Sequence, residues 1–412
     1  PDPRDLWAWM ENWEQQTGGR MLAIPHNGNL SNGWMFPLVD NFNKNQPLDR
    51  NYLETRKRWE PLVEMTQAKG DGEAHPLLSP DDAFADFATW DMGNLDLSSK
   101  KMPEMLPGEY ARSALKRGLE FDASMGVNPY KFGLIGSSDT HTGLSTTAEN
   151  NFFGKMATGE PAPGRANGIE KQNAALGIAR QAWEKAAAGV VAVWARDNTR
   201  GEIFDAMQRK EAFATTGPRI RVRFFGGFEF GQADARTRHP ASLGYSKGVP
   251  MGGDLPAAPK GGAPAFLVAA MKDPLSGNLD RIQIVKGWVD ASKGAREKIY
   301  DVVWGDADRR KLARQGTLPP VGNTVDAKTA TWTNTIGAAE LIAVWKDPDF
   351  DPSVEAFYYA RVLEIPTPRW TTYDAVRFRQ DISGTAPASV QERAYTSPIS
   401  VSYTHLRAHE TV

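Results

Sequence analysis

The stretch Phe132-Gly-Leu-Ile-Gly-Ser-Ser-Asp-Thr-His-Thr-Gly143 constrains the chain more than any other. Its apolar run, Phe132, Leu134 and Ile135, predicts a buried strand. Gly136-Ser137-Ser138 breaks that strand, and Asp139 and His141 follow at once. A carboxylate and an imidazole at this spacing in a strand-ending loop can be aimed at one point. They are donors suited to Zn²⁺, Mn²⁺ or Fe²⁺. A capping Asp beside a hydrogen-bonded surface His would read the same way. A second segment repeats the arrangement: Met21-Leu-Ala-Ile-Pro25 predicts a short strand that stops at His26. The carboxyl ends of strands are where α/β barrels and open α/β sheets carry their chemistry. Two of the six histidines in the chain occupy this position.

Taken in order, the first half alternates helix and strand patterns. Trp7, Met10 and Trp13 repeat at helical spacing, and Gly18-Gly19 ends that helix. Residues 51–59 predict a helix stopped by Pro61, and Leu62-Val-Glu-Met-Thr66 a strand with Glu64 inside it. A carboxylate in a buried strand needs a partner or a metal. Lys69-Gly-Asp-Gly-Glu-Ala-His75 follows at the strand's end. There Lys69 can pair with an anionic substrate group, and Glu73 can ligate a metal or act in proton transfer. Ser79-Pro-Asp-Asp82 carries the signature of a helix start, so its acids are given no catalytic part. Ala111, Ala114, Leu115 and Leu119 form a helical stripe with Gly126 as its stop, and residues 171–188 predict a further helix. Thr199-Arg-Gly-Glu202 predicts a capping box.

At Gly217-Pro218 the pattern changes. Ile220, Val222 and Phe224 alternate with Arg219, Arg221 and Arg223, and short strands separated by Gly/Pro turns follow. The expectation is α/β for residues 1–216 and an all-β, sandwich-like domain for 217–400. Residues 401–412 break from the preceding pattern and read as a foreign tail, in which His405 and His409 form an i, i+4 pair.

Ile24-Pro-His26 and Gly136-Ser-Ser-Asp-Thr-His141 resemble late metal motifs of the PHP (polymerase and histidinol phosphatase) superfamily of metal-dependent hydrolases. From about residue 5 to 400 the chain is similar to a bacterial family filed as domain of unknown function 3604. Glu64-Met-Thr-Gln-Ala-Lys-Gly70, Gly248-Val-Pro-Met-Gly-Gly-Asp-Leu255, Ile282-Gln-Ile-Val-Lys-Gly-Trp288 and Arg361-Val-Leu-Glu-Ile-Pro-Thr-Pro-Arg-Trp370 carry that likeness. The PHP resemblance implies a (β/α) barrel, incomplete here, and two or three divalent ions. It implies His26, Asp139, His141 and Glu64 as ligands. PHP-like proteins open with a His-x-His strand that nothing here matches. The resemblance therefore implies a fragment lacking its amino-terminal metal motif and any export signal, inactive as it stands. A periplasmic or secreted protein is the expected whole.

Several function classes are set aside. A net charge of −2 gives no bulk attraction to nucleic acid or anionic membrane. The row Arg219, Arg221 and Arg223 lacks the interleaved aromatics of a nucleic-acid surface. With no cysteine, thiolate–zinc sites and disulfides are impossible. No apolar run approaches the roughly 18 residues of a membrane span. Two functions remain. One is a metal-dependent hydrolase of a small anionic or ester substrate, first of all a phosphoesterase. In it Asp139, Lys69 and Glu73 take part in catalysis. The alternative is a non-catalytic protein that binds a glycan or protein ligand through its β domain.

Overall fold

A computed structural model describes residues 2–290, 294–314, 316–382 and 384–401. The tail and its His405/His409 pair lie outside the described residues, Val401 excepted. The fold is mixed α/β with several sheets, and among the described residues no sheet closes into the expected barrel.

The middle layer is an eight-stranded sheet. Its long strands Leu279–Asp290 and Ala356–Glu364 pair antiparallel, with Ile284 opposite Ala360. Gly294–Trp304 extends one side. On the other side Arg393–Thr396 pairs with Ala356–Glu364 and then with Ala212–Thr215, which in turn pairs with Val190–Val193. One sheet thus runs across the expected division at 216/217.

Both faces of this sheet are covered, so Ala356–Glu364 is buried at every position rather than at alternate ones. On one face Ile284, Tyr358, Ala360 and Val362 pack against Phe224, Phe266 and Val268 of a second, four-stranded antiparallel sheet. On the other face Val285, Phe357, Tyr359 and Tyr395 meet Ala111, Leu115 and Leu119 of helix Ala111–Met125. That helix ends at Gly126 in the left-handed conformation (φ 69°), where glycine carries no Cβ penalty.

A small sheet adjoins this helix. Leu62–Gln67 and Gly133–Gly136 pair in parallel, the geometry of a strand–helix–strand crossover. Beyond Gly136 the chain stays in register for one more step. Ser137 N–H donates to Thr66 O at 3.0 Å, and Gly189 N–H to Ser137 O at 2.7 Å.

Four local expectations are corrected. Met21–Pro25 is not a strand: it is tied by single bonds, Ala23 N–H to Trp59 O and Glu64 N–H to Pro25 O, and Pro25 has no donor to extend a ladder. Residues 171–188 are not a helix. Despite their alanines they form the hairpin Ile169–Asn173 and Ile178–Gln181, turned by Gly177 at φ 65°, with a short 3₁₀ turn after it. Ser79–Asp82 forms turns, not a helix start. Thr199 caps helix Arg200–Gln208 through Glu202 N–H, a simple cap.

Candidate functional site

The site is assembled where the two parallel strands end. Glu64 sits inside Leu62–Gln67, and Asp139 follows Gly133–Gly136 by a short turn. The Glu64 side chain is almost fully enclosed, and both of its oxygens are engaged. Oε2 contacts His26 Nδ1 at 2.7 Å and accepts from Asn27 N–H at 3.3 Å, while Oε1 accepts from the Ser137 hydroxyl. Donation of Nδ1–H to Glu64 leaves Nε2 of His26 as the free acceptor on the other side of the ring. That Nε2 lies 3.7 Å from Asp139 Oδ1.

His141 approaches the same oxygen, its Nε2 being 3.2 Å from Asp139 Oδ1. Both imidazoles are about half exposed, while the Asp139 side chain is 6% exposed. Asp139 adopts φ 50°, a left-handed conformation that Asp tolerates better than most residues. The backbone of His141 is fixed by its N–H bond to Lys155 O at 2.8 Å.

Two ammonium groups complete the cluster. Lys69 forms a close ion pair with Asp139 Oδ2, and Lys155 Nζ stands 2.9 Å from the same atom and 3.0 Å from His141 Nε2. Both lysines are buried. Burial pushes Lys69 down to about 8, with Asp139 pulling it back up and Lys155 repelling it. Burial alone would raise the Asp139 carboxyl, but hydrogen bonds from Lys69 and Lys155 outweigh it and hold the group below its ordinary value. Lys69 is oriented by its neighbours: its N–H donates to Gln67 Oε1 at 2.8 Å and its carbonyl accepts from Asn29 Nδ2 at 3.0 Å.

His26, Glu64, Lys69, Asp139 and His141 are therefore brought together. Glu73 is not. It lies 2% exposed in a buried ionic network. Arg112 and Arg361 pair with it, the latter at 3.0 Å from Oε2, and Tyr359 donates to Oε1 at 2.6 Å. Burial acts to raise Glu73, but Arg361 and Arg112 overcome it, so the group stays ionised below its ordinary value. It has no proton to exchange and no free oxygen to offer. Asp82, given no part from sequence, belongs to this network, at 2.6 Å from Arg361 and 2.8 Å from Arg112. His75 pairs with Asp91 at 2.8 Å, apart from the cluster.

Lys155 was missed from sequence. It lies in an irregular loop with no strand end or motif beside it, and only the fold brings it to Asp139.

Two imidazoles and two carboxylates are chemically a fitting donor set for a divalent ion. As arranged, however, no group of three or more His, Asp or Glu among the described residues stands ready to hold one. The reason is local. Asp139 Oδ2 is shared by two ammonium groups, and Glu64 spends both oxygens on His26, Asn27 and Ser137. The lysines occupy the electrostatic place a cation would take.

Compared with known proteins, residues 1–402 match the model of a family described as "Protein of unknown function (DUF3604)". No curated protein and no solved structure matches the chain.

Proposed function

The chain belongs to that family of unknown function, and from its own geometry we propose that it is a metal-dependent hydrolase of small anionic or ester substrates, first of all a phosphoesterase. One observation carries the reading. The Nε2 atoms of His26 and His141, from segments far apart in sequence, converge on a single oxygen of Asp139 at the carboxyl ends of two parallel strands. The likeness of Ile24-Pro-His26 and Gly136-Ser-Ser-Asp-Thr-His141 to PHP metal motifs supports it.

In this proposal His26, Asp139 and His141 would hold a divalent ion of the Zn, Mn or Fe kind. Such an ion supplies a water of lowered pKa and neutralises charge at the attacked centre. Glu64, first read as a ligand, is a positioning residue: it fixes the tautomer and direction of His26 through Nδ1. Lys69 and Lys155 supply two buried positive charges that an anionic substrate oxygen can meet in place of Asp139 Oδ2. The Asn27 and Gln67 side chains, joined at 2.7 Å, hold the His26 loop against the strand.

The test is equilibrium dialysis against Zn²⁺ and Mn²⁺, together with hydrolysis of phosphomonoester, phosphodiester and carboxylic ester chromogens. Retained metal that is lost in His26→Ala and His141→Ala supports the reading. A protein that retains no metal, or that hydrolyses equally well after chelation, overturns it.

A further inference from the structure

The four-stranded sheet has an outer face that is shielded only in part. Side chains alternate along a strand, so Arg221, Arg223 and Phe225 of Arg221–Gly227 share that face. Register adds Met271, Ala269 and Leu267 from Ala265–Met271, and Glu340, Ile342 and Val344 from Glu340–Lys346. At one end Phe225, Leu267 and Val344 pack with Phe230, Ala235 and Leu243. At the other end the face opens into a cleft of about 610 Å³, whose walls include Arg221, Arg223, Arg238, Trp194, Met271 and Glu340. The space suits a small organic molecule, since ligand cavities run from about 300 to 1,000 Å³.

Three guanidinium groups line the cleft against one carboxylate, that of Glu340. Arg221 is exposed, and its Nη2 rests on the Met271 thioether at 3.0 Å, a weak acceptor. Among the described residues neither Arg221 nor Arg238 has a carboxylate partner. Arg223 stands over Trp194, its guanidinium carbon 3.3 Å from the ring centre, and the indole is fixed by donation to Val222 O at 3.0 Å. Arg223 Nη1 donates to the Tyr245 hydroxyl at 3.1 Å and lies 3.8 Å from Glu211 Oε1. Glu211 is engaged more closely by Arg209, at 2.9 Å, and by the Tyr245 hydroxyl, so it offsets the Arg223 charge only in part. Nε and Nη2 of Arg223 have no partner among the described residues and are open to solvent.

The wall chemistry narrows the occupant. A carboxylate or phosphoryl group meets a guanidinium through two parallel N–H···O bonds, a match that no cation has. Arg221 and Arg223 are two residues apart on one face, about 7 Å along the strand, so they can converge on one anionic group. Ala269, Met271 and Ile342 beside them offer apolar surface for the carbon part of a ligand. We propose that this cleft binds a small organic anion, a carboxylate or phosphoryl compound with an apolar body. Arg221, Arg223 and Arg238 take its anionic group, and Ala269, Met271 and Ile342 its apolar body. The cleft shares no residue with the Asp139 cluster and stands or falls without it.

The test is saturation-transfer NMR with benzoate, glutarate and phenylphosphonate, which has no ester bond to cleave, and with benzamide and benzylamine as neutral and cationic controls. Transfer to at least one anion is expected, and phenylphosphonate against the two carboxylates tells which oxyanion the cleft prefers. Binding should weaken about tenfold in Arg221→Gln, as for one charged hydrogen bond lost. Glu340→Gln removes the one opposing charge in the cleft, so it should tighten anion binding about twofold or more, a gain that misfolding cannot imitate. Lys155→Met, at the Asp139 cluster, should leave this binding unchanged. Absence of transfer to every anion overturns the proposal, as does equal binding of benzamide or benzylamine. So does anion binding that folded Arg221→Gln and Arg238→Gln proteins retain in full, or that is lost in Lys155→Met.

Discussion

Tyr358 and Tyr359 are neighbours in one strand and serve opposite cores. Tyr358 packs with its ring centre 4.5 Å from that of Phe266 in the sheet-to-sheet core and donates to Asp347 at 2.6 Å. Tyr359 points the other way, beside helix Ala111–Met125, and donates to Glu73 at 2.6 Å. The alternation of side chains along a strand is thus used twice, once for each face. The eight-stranded sheet is the common wall of both halves of the protein.

That wall is fastened by charge. Arg112 from the helix and Arg361 from the sheet share Glu73 and Asp82. Removing one partner of such a network leaves a buried charge uncompensated. Glu73→Gln is therefore expected to cost about 3–5 kcal/mol of unfolding free energy, measured by urea denaturation. It should leave metal binding at His26 and His141 intact in the protein that remains folded. A cost below about 1 kcal/mol, the range of an exposed pair, would show that the network contributes little.

His141 calls for the opposite outcome. Its side chain is 51% exposed, so His141→Ala removes little buried contact. The melting temperature should move by no more than a few degrees, as for a surface substitution worth about 0.5 kcal/mol. Metal retention and any hydrolysis should disappear. If metal binding survives in the variant, His141 is not a ligand.

The strand-end placement of Asp139 was legible because an apolar run that stops at Gly is a local pattern, whereas Met21–Pro25 carries a like pattern before His26 and forms no strand. The direction of Glu64 was not, since its partners His26 and Ser137 come from separate segments. Glu73 looked available in a Gly-rich loop because Arg112 and Arg361 are far away in sequence. The alanines of 171–188 favour a helix by propensity, yet Gly177 in a left-handed turn sets a hairpin there. Contacts between segments distant in sequence decided both carboxylates, and they are not written into short spacing, whereas the hairpin was set by a local glycine turn.

Gly189 is where backbone packing supports the site. A Cβ there would stand 2.4 Å from Thr66 O and 2.9 Å from Ser137 N and O. The atoms in the way are backbone, so they cannot swing aside. Gly189→Ala should separate the Thr66–Ser137 link and displace the turn that carries Asp139. Stability should fall by about 1–3 kcal/mol, as for overpacked sites, and metal binding should weaken with it. A variant with the parent's melting temperature and metal affinity would show that the strand ends are not held by this approach.

Glu364 gives a pH dependence with a definite sign. Burial pushes its carboxyl up to about 8, and Asp273 adds to the effect. Ser276 donates to Oε2 at 2.5 Å, while Oε1 has no partner. Between the unfolded value, 4.5, and the folded value, about 8, the native state holds a proton that the unfolded chain has released. Native protein then binds more protons than unfolded protein, so stability falls as pH rises through this window. The slope from this group is at most about 1.4 kcal/mol per pH unit. Glu364→Gln should melt higher than the parent at about pH 8–9, and the gap should close towards about pH 5. Melting curves that keep the same separation at both ends would exclude the assignment.

Lys155 separates the two roles proposed for the site. Its ammonium sits 2.9 Å from Asp139 Oδ2 and 3.0 Å from His141 Nε2, on the atoms a divalent ion would need. A metal must therefore displace or repel a buried positive charge. Lys155→Met keeps the length of the apolar stem and removes that charge, so metal affinity should rise, by about tenfold if one ion-pair contact of about 1.4 kcal/mol is released. The same change deletes a charge that would meet an anionic substrate, so KM for a phosphate ester should rise while that for a neutral ester stays level. Isothermal titration with Zn²⁺ and paired kinetics on the two ester classes read both effects. Metal affinity that falls in Lys155→Met would mean that the lysine supports the ion's ligands rather than competing for them, and the assignment of Asp139 as a shared ligand would have to be given up.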